Sequence, residues 1–235
     1  MRLKVTTMKK QIFLAGMALY LLAGVRAQAA DEMTRFYARS GSKMRIEGTA
    51  TAIHTHWAVE SPLIGGWLEV GPGFPAEPGQ AATPGPIQAK GEVFIMVRSL
   101  KSVEDDGKPY SDAMDRVMYE HLRAADDARA RITFQLTSLT LKEPAKSKDT
   151  PYVFEAKGDL TVTGVTNKIA MLVNVLPLPD KKVKISGTTA VKMTDYKISP
   201  PAPVGILLKT GDDVKLVFEW MVAPRTPPTA AAAAK

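Results

Sequence analysis

The chain has 235 residues, a formal net charge of +7 and no cysteine, which excludes disulfides, thiolate metal sites and a cysteine nucleophile together. Arg2, Lys4, Lys9, Lys10 and Arg26 carry much of that charge within the first 29 residues. Without them about +2 remains and no compact basic run is left to follow a phosphate backbone, so nucleic acid is set aside as a partner.

The first pattern along the chain is a targeting one. Lys9 and Lys10 precede an uncharged, largely apolar run of 14 residues, Ile12 to Val25, and then Ala27-Gln28-Ala29. That is the order of a secretory signal peptide, with cleavage expected after Ala29. The run is shorter than the roughly 18 residues that mark a spanning helix. Residues 1–29 are therefore expected to be removed, leaving no transmembrane anchor and a periplasmic or secreted protein. Met8 is an alternative start that leaves this reading intact. Residues 30–223 are expected to form one domain, because undivided all-β domains reach this size.

Within that domain the dominant period is two, the signature of half-buried strands. Met44 to Ile53 and Trp57 to Val70 are the first strand candidates. Residues 71–86 are too rich in Gly and Pro to continue regular structure and are expected to form a long surface loop. Val93, Ile95 and Val97 form the next apolar row, and Ile132, Phe134 and Leu136 alternate with Thr133, Gln135 and Thr137. Leu160 with Val162, then Ile169 to Leu176 and Val183 to Met193, continue the series. Val214, Leu216, Phe218 and Trp220 alternate with Lys215, Val217 and Glu219. About eight strands at this spacing predict a sandwich or a barrel.

One segment departs from the rule. Met114, Val117, Met118, His121, Leu122 and Ala125 recur at three- and four-residue steps, which predicts an amphipathic helix with Ser111 as its N-cap. In a β protein such a helix covers a sheet edge or a barrel mouth. Residues 224–235, Pro-rich and then alanine, cannot bury enough apolar surface to order themselves.

Few residues suggest chemistry. His54 and His56 would share a strand face, close enough for one zinc ion, but no third ligand can be named nearby, so a strand end is the preferred reading. His121 falls on the helix stripe as a packed side chain. Glu104, Asp105 and Asp106 before Gly107 lack the ligand spacing of a calcium loop and read as a solvated turn. No base and nucleophile pair is evident, which argues against an enzyme, and no cofactor is expected.

Several stretches resemble the YceI family of lipocalin-like exported barrels. Gly158-Asp159-Leu160-Thr161-Val162-Thr163-Gly164-Val165-Thr166-Asn167-Lys168 is similar to that family's G-x-L-T-[IV]-x-G-V-T-[KN] segment. Met114 to Phe134 resembles its helix followed by an I-T-F strand, and Asp195-Tyr196-Lys197-Ile198 stands in the place of its D-[FY]-x-I turn. Arg45 to Thr49, leading to His56-Trp57, resembles a further family region, and the likeness spans roughly residues 44–222. The histidine spacing before Trp57 and the long loop at 71–86 depart from the family pattern.

The resemblance implies an all-β, antiparallel barrel of about eight strands with one helix. In relatives the interior holds a long polyisoprenoid chain. The leading expectation is thus a binding protein for a polyisoprenoid, quinone or similar apolar ligand. Val93, Ile95, Val97, Ile132, Phe134, Leu136, Phe154, Leu160, Val162, Leu216, Phe218 and Trp220 are the expected wall. The alternative is a filled barrel that acts in interactions through the 71–86 loop. The sequence leaves the oligomeric state open, a homodimer included.

Overall fold

The computed structural model describes residues 33–51, 56–202 and 209–225. The targeting segment, His54 and residues 226–235 lie outside the described residues, while Pro224, expected to begin the unordered tail, is instead the last residue of the final strand, where it pairs with Phe36.

The strands are β1 (Thr34–Ala38), β2 (Lys43–Ala50), β3 (His56–Ser61), β4 (Gly65–Val70), β5 (Gly85–Ile87), β6 (Ala89–Met96), β7 (Lys101–Val103), β8 (Arg131–Glu143), β9 (Tyr152–Val162), β10 (Val165–Leu178), β11 (Lys182–Lys192) and β12 (Thr210–Pro224). The helix α1 (Asp112–His121) lies between β7 and β8. Every named pairing is antiparallel, and the ring closes where β1 meets β12, Phe36 facing Pro224.

Twelve strands make a barrel of eight staves because the first three staves are interrupted. β1 and β2 run end to end along β12, with Ala38 opposite Val222 and Met44 opposite Phe218. β4 and β3 run along them in the same way. β5 and β6 lie along β8, while β6 and β7 flank β4 and β3.

The expected strand Trp57 to Val70 is therefore two strands. Pro62 has no N–H for the ladder, and Ser61 takes over the local bonding. Its hydroxyl accepts the Leu63 N–H at 3.1 Å and bonds Ser99 Oγ at 2.7 Å. Across from this break, Val97–Ser99 forms a 3-10 turn, so Val97 leaves the inward row of Val93 and Ile95. The Met44–Ile53 strand ends at Ala50 among the described residues, and Gly85 and Pro86, expected in a loop, begin β5. Pro is tolerated there because β5 is short and its Pro86 faces outward, exposed.

The helix is capped as expected: Ser111 Oγ accepts the N–H of Ala113 at 3.2 Å and of Met114 at 3.5 Å. It stops before Ala125, because Arg123 turns left-handed (φ 57°) and the Ala124 N–H reaches back to Tyr119 O at 2.7 Å.

The strongest of the family-like segments, Gly158 to Lys168, forms a fastened hairpin. Thr163 (φ 51°) and Gly164 (φ 84°) make the tight turn between β9 and β10, a backbone that favours glycine at its second position. Thr163 Oγ1 donates to Tyr196 O at 3.1 Å and Asn167 Nδ2 to Asp195 O at 2.8 Å. Asp212 in turn accepts the Thr194 N–H at 2.9 Å and its hydroxyl at 2.7 Å. These bonds fasten the hairpin to the turn at Thr194–Tyr196 and shape the end of the barrel that α1 covers.

Candidate functional site

Several inward side chains, Val93, Ile132, Phe134, Leu216 and Phe218, are only half buried although they belong to the core face. In a closed barrel that residual exposure faces internal space. The space is a cavity of about 820 Å³, bounded mainly by apolar side chains. Such a volume lies toward the upper end of the roughly 300–1,000 Å³ of small-molecule sites.

The interior stays open because aromatic rings lie against the wall. A Cβ built on Gly187 would stand 2.8 Å from Phe218 Cζ, and one on Gly158 would stand 2.5 Å from Phe134 Cζ. At Gly48 the same atom would meet the Trp57 ring at 2.2 Å. Each ring thus occupies space that a side chain on the neighbouring strand would otherwise fill. Ala156 on β9 and Gly91 on β6 add further small inward positions.

The end opposite α1 is plugged by the loop expected to lie on the surface. Phe74 is buried between Phe36, 6.0 Å away between ring centroids, and Phe154 at 5.8 Å. Pro75 is fully buried beside it. Gln80 holds the plug: its Oε1 accepts the Ala76 N–H at 2.9 Å and the Glu77 N–H at 3.2 Å, and its Nε2 donates to Phe74 O at 3.3 Å. The Tyr152 hydroxyl donates to Gln80 O, and burial pushes that phenol above its ordinary pKa.

At the other end α1 contributes Met114, Val117, Met118, His121 and the following Leu122 to the cavity wall. It is tied down at both ends. Tyr119 Oη donates to Leu100 O at 2.8 Å, and Arg98 donates to Ala124 O at 3.0 Å and Ala125 O at 3.2 Å. The buried Asp115 accepts the Ser102 N–H at 2.7 Å and pairs with Lys101 Nζ at 3.0 Å. Burial opposes the Asp115 charge, but the Ser102 amide and Lys101 outweigh it and hold the carboxyl below its usual value.

A depressed folded-state pKa contributes stability that is present in full above the unfolded value, about 3.9, and is lost as pH falls through the folded one. Asp115→Ala is expected to cost about 1–3 kcal/mol at neutral pH by leaving the Ser102 amide without its acceptor. Urea unfolding of both proteins should show the gap narrowing as pH drops below the ordinary carboxylate range. A gap independent of pH would contradict the assignment.

Polar wall residues gather at this same end, on strand termini and loops: His56, Glu104, Asp105, Asp106, Tyr110, Lys192 and Thr210. The acidic run forms the expected turn, Asp106 accepting the Lys108 N–H at 3.0 Å and pairing with its ammonium. His121 Nδ1 lies 2.9 Å from Val117 O one helical turn back, as a packed side chain would. Among the described residues no three metal-binding side chains come together.

Val93, Ile95, Ile132, Phe134, Leu136, Leu160, Val162, Leu216, Phe218 and Trp220 all border the cavity. Val97 and Phe154 do not. Val97 is buried in its turn, where its N–H donates to Ala130 O at 2.9 Å, and Phe154 belongs to the floor under Phe74. Sequence reading missed the contributions of Met44, Ile46, Val59, Ile64 and Leu68 from the early staves, and of Tyr196 and Ile198 from the β11–β12 connection. Alternation in Met44 and Ile46 was a usable signal for part of this set.

Comparison with known proteins agrees with this architecture. A solved polyisoprenoid binding domain from Saccharophagus degradans, implicated in plant cell wall breakdown, superposes with a TM-score of 0.54 at 13% identity, over 83% of this chain and 100% of that one. Burkholderia cenocepacia BcnA superposes with a TM-score of 0.52 at 16% identity, over 77% of this chain and 96% of the other. At such identities the likeness shows the fold. No curated protein matches the sequence. The YceI-like domain model matches residues 67–222, most of the barrel, and the chain belongs to that family.

Proposed function

We propose that the protein is an exported carrier that holds one polyisoprenoid, or a similar long apolar lipid, along the barrel axis. The observation that carries this reading is the mainly apolar cavity of about 820 Å³, floored by Phe74 and with most of its polar wall residues near α1. If a methylene takes the ~30 Å³ share of a water molecule, that space suits on the order of 25 chain carbons. With roughly 0.8 kcal/mol for each CH₂ withdrawn from water, such a chain needs no charged anchor.

The Saccharophagus degradans domain supports the ligand class by its described binding activity. Nothing in the site favours a reaction: the polar residues near α1 are capped, paired or dispersed. The interaction reading through loop 71–86 loses ground because Phe74 and Pro75 are buried in the plug.

The order of Lys9-Lys10, the apolar run and Ala27-Gln28-Ala29 supports the export part of this proposal. Among the described residues no helix is long and apolar enough to cross a membrane. The test is organic extraction of protein purified from its own source, with mass spectrometry of the extract and N-terminal sequencing of the protein. A near-stoichiometric long-chain apolar compound and an N-terminus at Ala30 are expected. An empty extract from a protein that also takes up no added prenyl lipid would contradict the carrier reading, and a retained Ile12–Val25 segment would contradict cleavage.

A further inference from the structure

The wall glycines have a consequence for what the barrel admits. Gly187 on β11 lies directly opposite Phe218 on β12 and next to Val173 on β10. Its absent Cβ would sit 2.8 Å from Phe218 Cζ, 3.1 Å from Cε1 and 3.0 Å from Leu172 O. The tightest contact is therefore with the far end of a side chain that can move, and Phe218 is half buried beside the cavity. A methyl group at 187 drives the ring off the wall, and the open space available to it is the cavity.

Gly158 is less suited to this role as a test position, because its Cβ would also stand 2.3 Å from the backbone oxygen of Gln135. We propose that Gly187 is a specificity-determining position: by letting Phe218 lie flat it sets the bore of the cavity wide enough for a methyl-branched chain. This rests on the lipid-carrier reading and adds girth as the selected property. A straight chain of equal carbon number passes a narrower bore, so the two chain types respond differently when the ring is displaced.

The experiment is competitive loading of the purified protein with an equimolar mixture of geranylgeraniol and icosanol, the bound ratio being read by extraction and mass spectrometry. Gly187→Ala should lower the share of geranylgeraniol about tenfold, the scale on which an apolar pocket resolves one methylene. Gly187→Ala with Phe218→Ala should restore it, since the displaced ring is gone. Phe218→Ala alone, which does not depend on the stability of the glycine variant, should raise the branched share above that of the wild type.

An unchanged ratio in Gly187→Ala, a loss that Phe218→Ala does not rescue, or no widening in Phe218→Ala alone would overturn the bore assignment while leaving the carrier reading in place. A wild type that takes up neither alcohol would overturn the carrier reading and the bore assignment with it.

Discussion

Phe154→Ala is expected to cost about 3–5 kcal/mol of unfolding free energy, the price of a void in a packed core, whereas Phe218→Ala should cost clearly less. Both are inward phenylalanines of alternating strands. Phe154 has no exposed surface and packs against Phe74, which itself packs against Phe36, so truncation removes contacts from several layers of the floor. Phe218 already borders open space on one side. Parallel urea titrations of the lipid-free proteins measure the difference. Equal losses would mean that the interior at Phe218 is as filled as the floor.

Leu216→Trp is expected to abolish lipid uptake with little loss of stability. Leu216 lies between Ile46 on β2 and Thr189 on β11, is half buried and lines the cavity, so a larger side chain extends into space. The usual overpacking penalty of about 1–3 kcal/mol applies where neighbours must yield, and here the growing side faces a void. A strongly destabilised variant would instead indicate a dry core. Uptake and thermal unfolding measured on one preparation separate the two outcomes.

The strand rows were legible in the sequence because a period of two survives wherever one face is buried and the other wet. That held for Ile132-Phe134-Leu136 and for Leu216-Phe218-Trp220, which became β8 and β12. The helix was legible for the same reason at its own period, with Ser111 as a visible cap. Residues 71–84 form the irregular and mostly exposed loop that Gly and Pro predict, but those residues do not say that Phe74 and Pro75 turn inward. Phe74, the only large apolar residue between Val70 and Ile87, is what folds the loop into the floor.

Val97 lies outside the cavity wall because of the turn at Val97–Ser99, which nothing local in the sequence marks and which faces the Pro62 break on the neighbouring stave. The pairings of Gly48 with Trp57 and Gly187 with Phe218 depend on cross-strand register, which a single strand's pattern does not carry. Those pairs decide whether an inward ring fills the barrel or lines it. The resemblance to the YceI family supplied the barrel, and its strongest motif both fastens the turn at Thr194–Tyr196 through Thr163 and Asn167 and sets Leu160 and Val162 on the cavity wall.

The most direct test of the central claim is a titration of delipidated protein with geranylgeraniol, followed by native mass spectrometry, for the wild type beside Leu216→Trp. The account predicts a saturable complex of one chain per barrel in the wild type and none in the variant. Absence of uptake by the wild type, or equal uptake by both proteins, would contradict a lipid held inside the barrel.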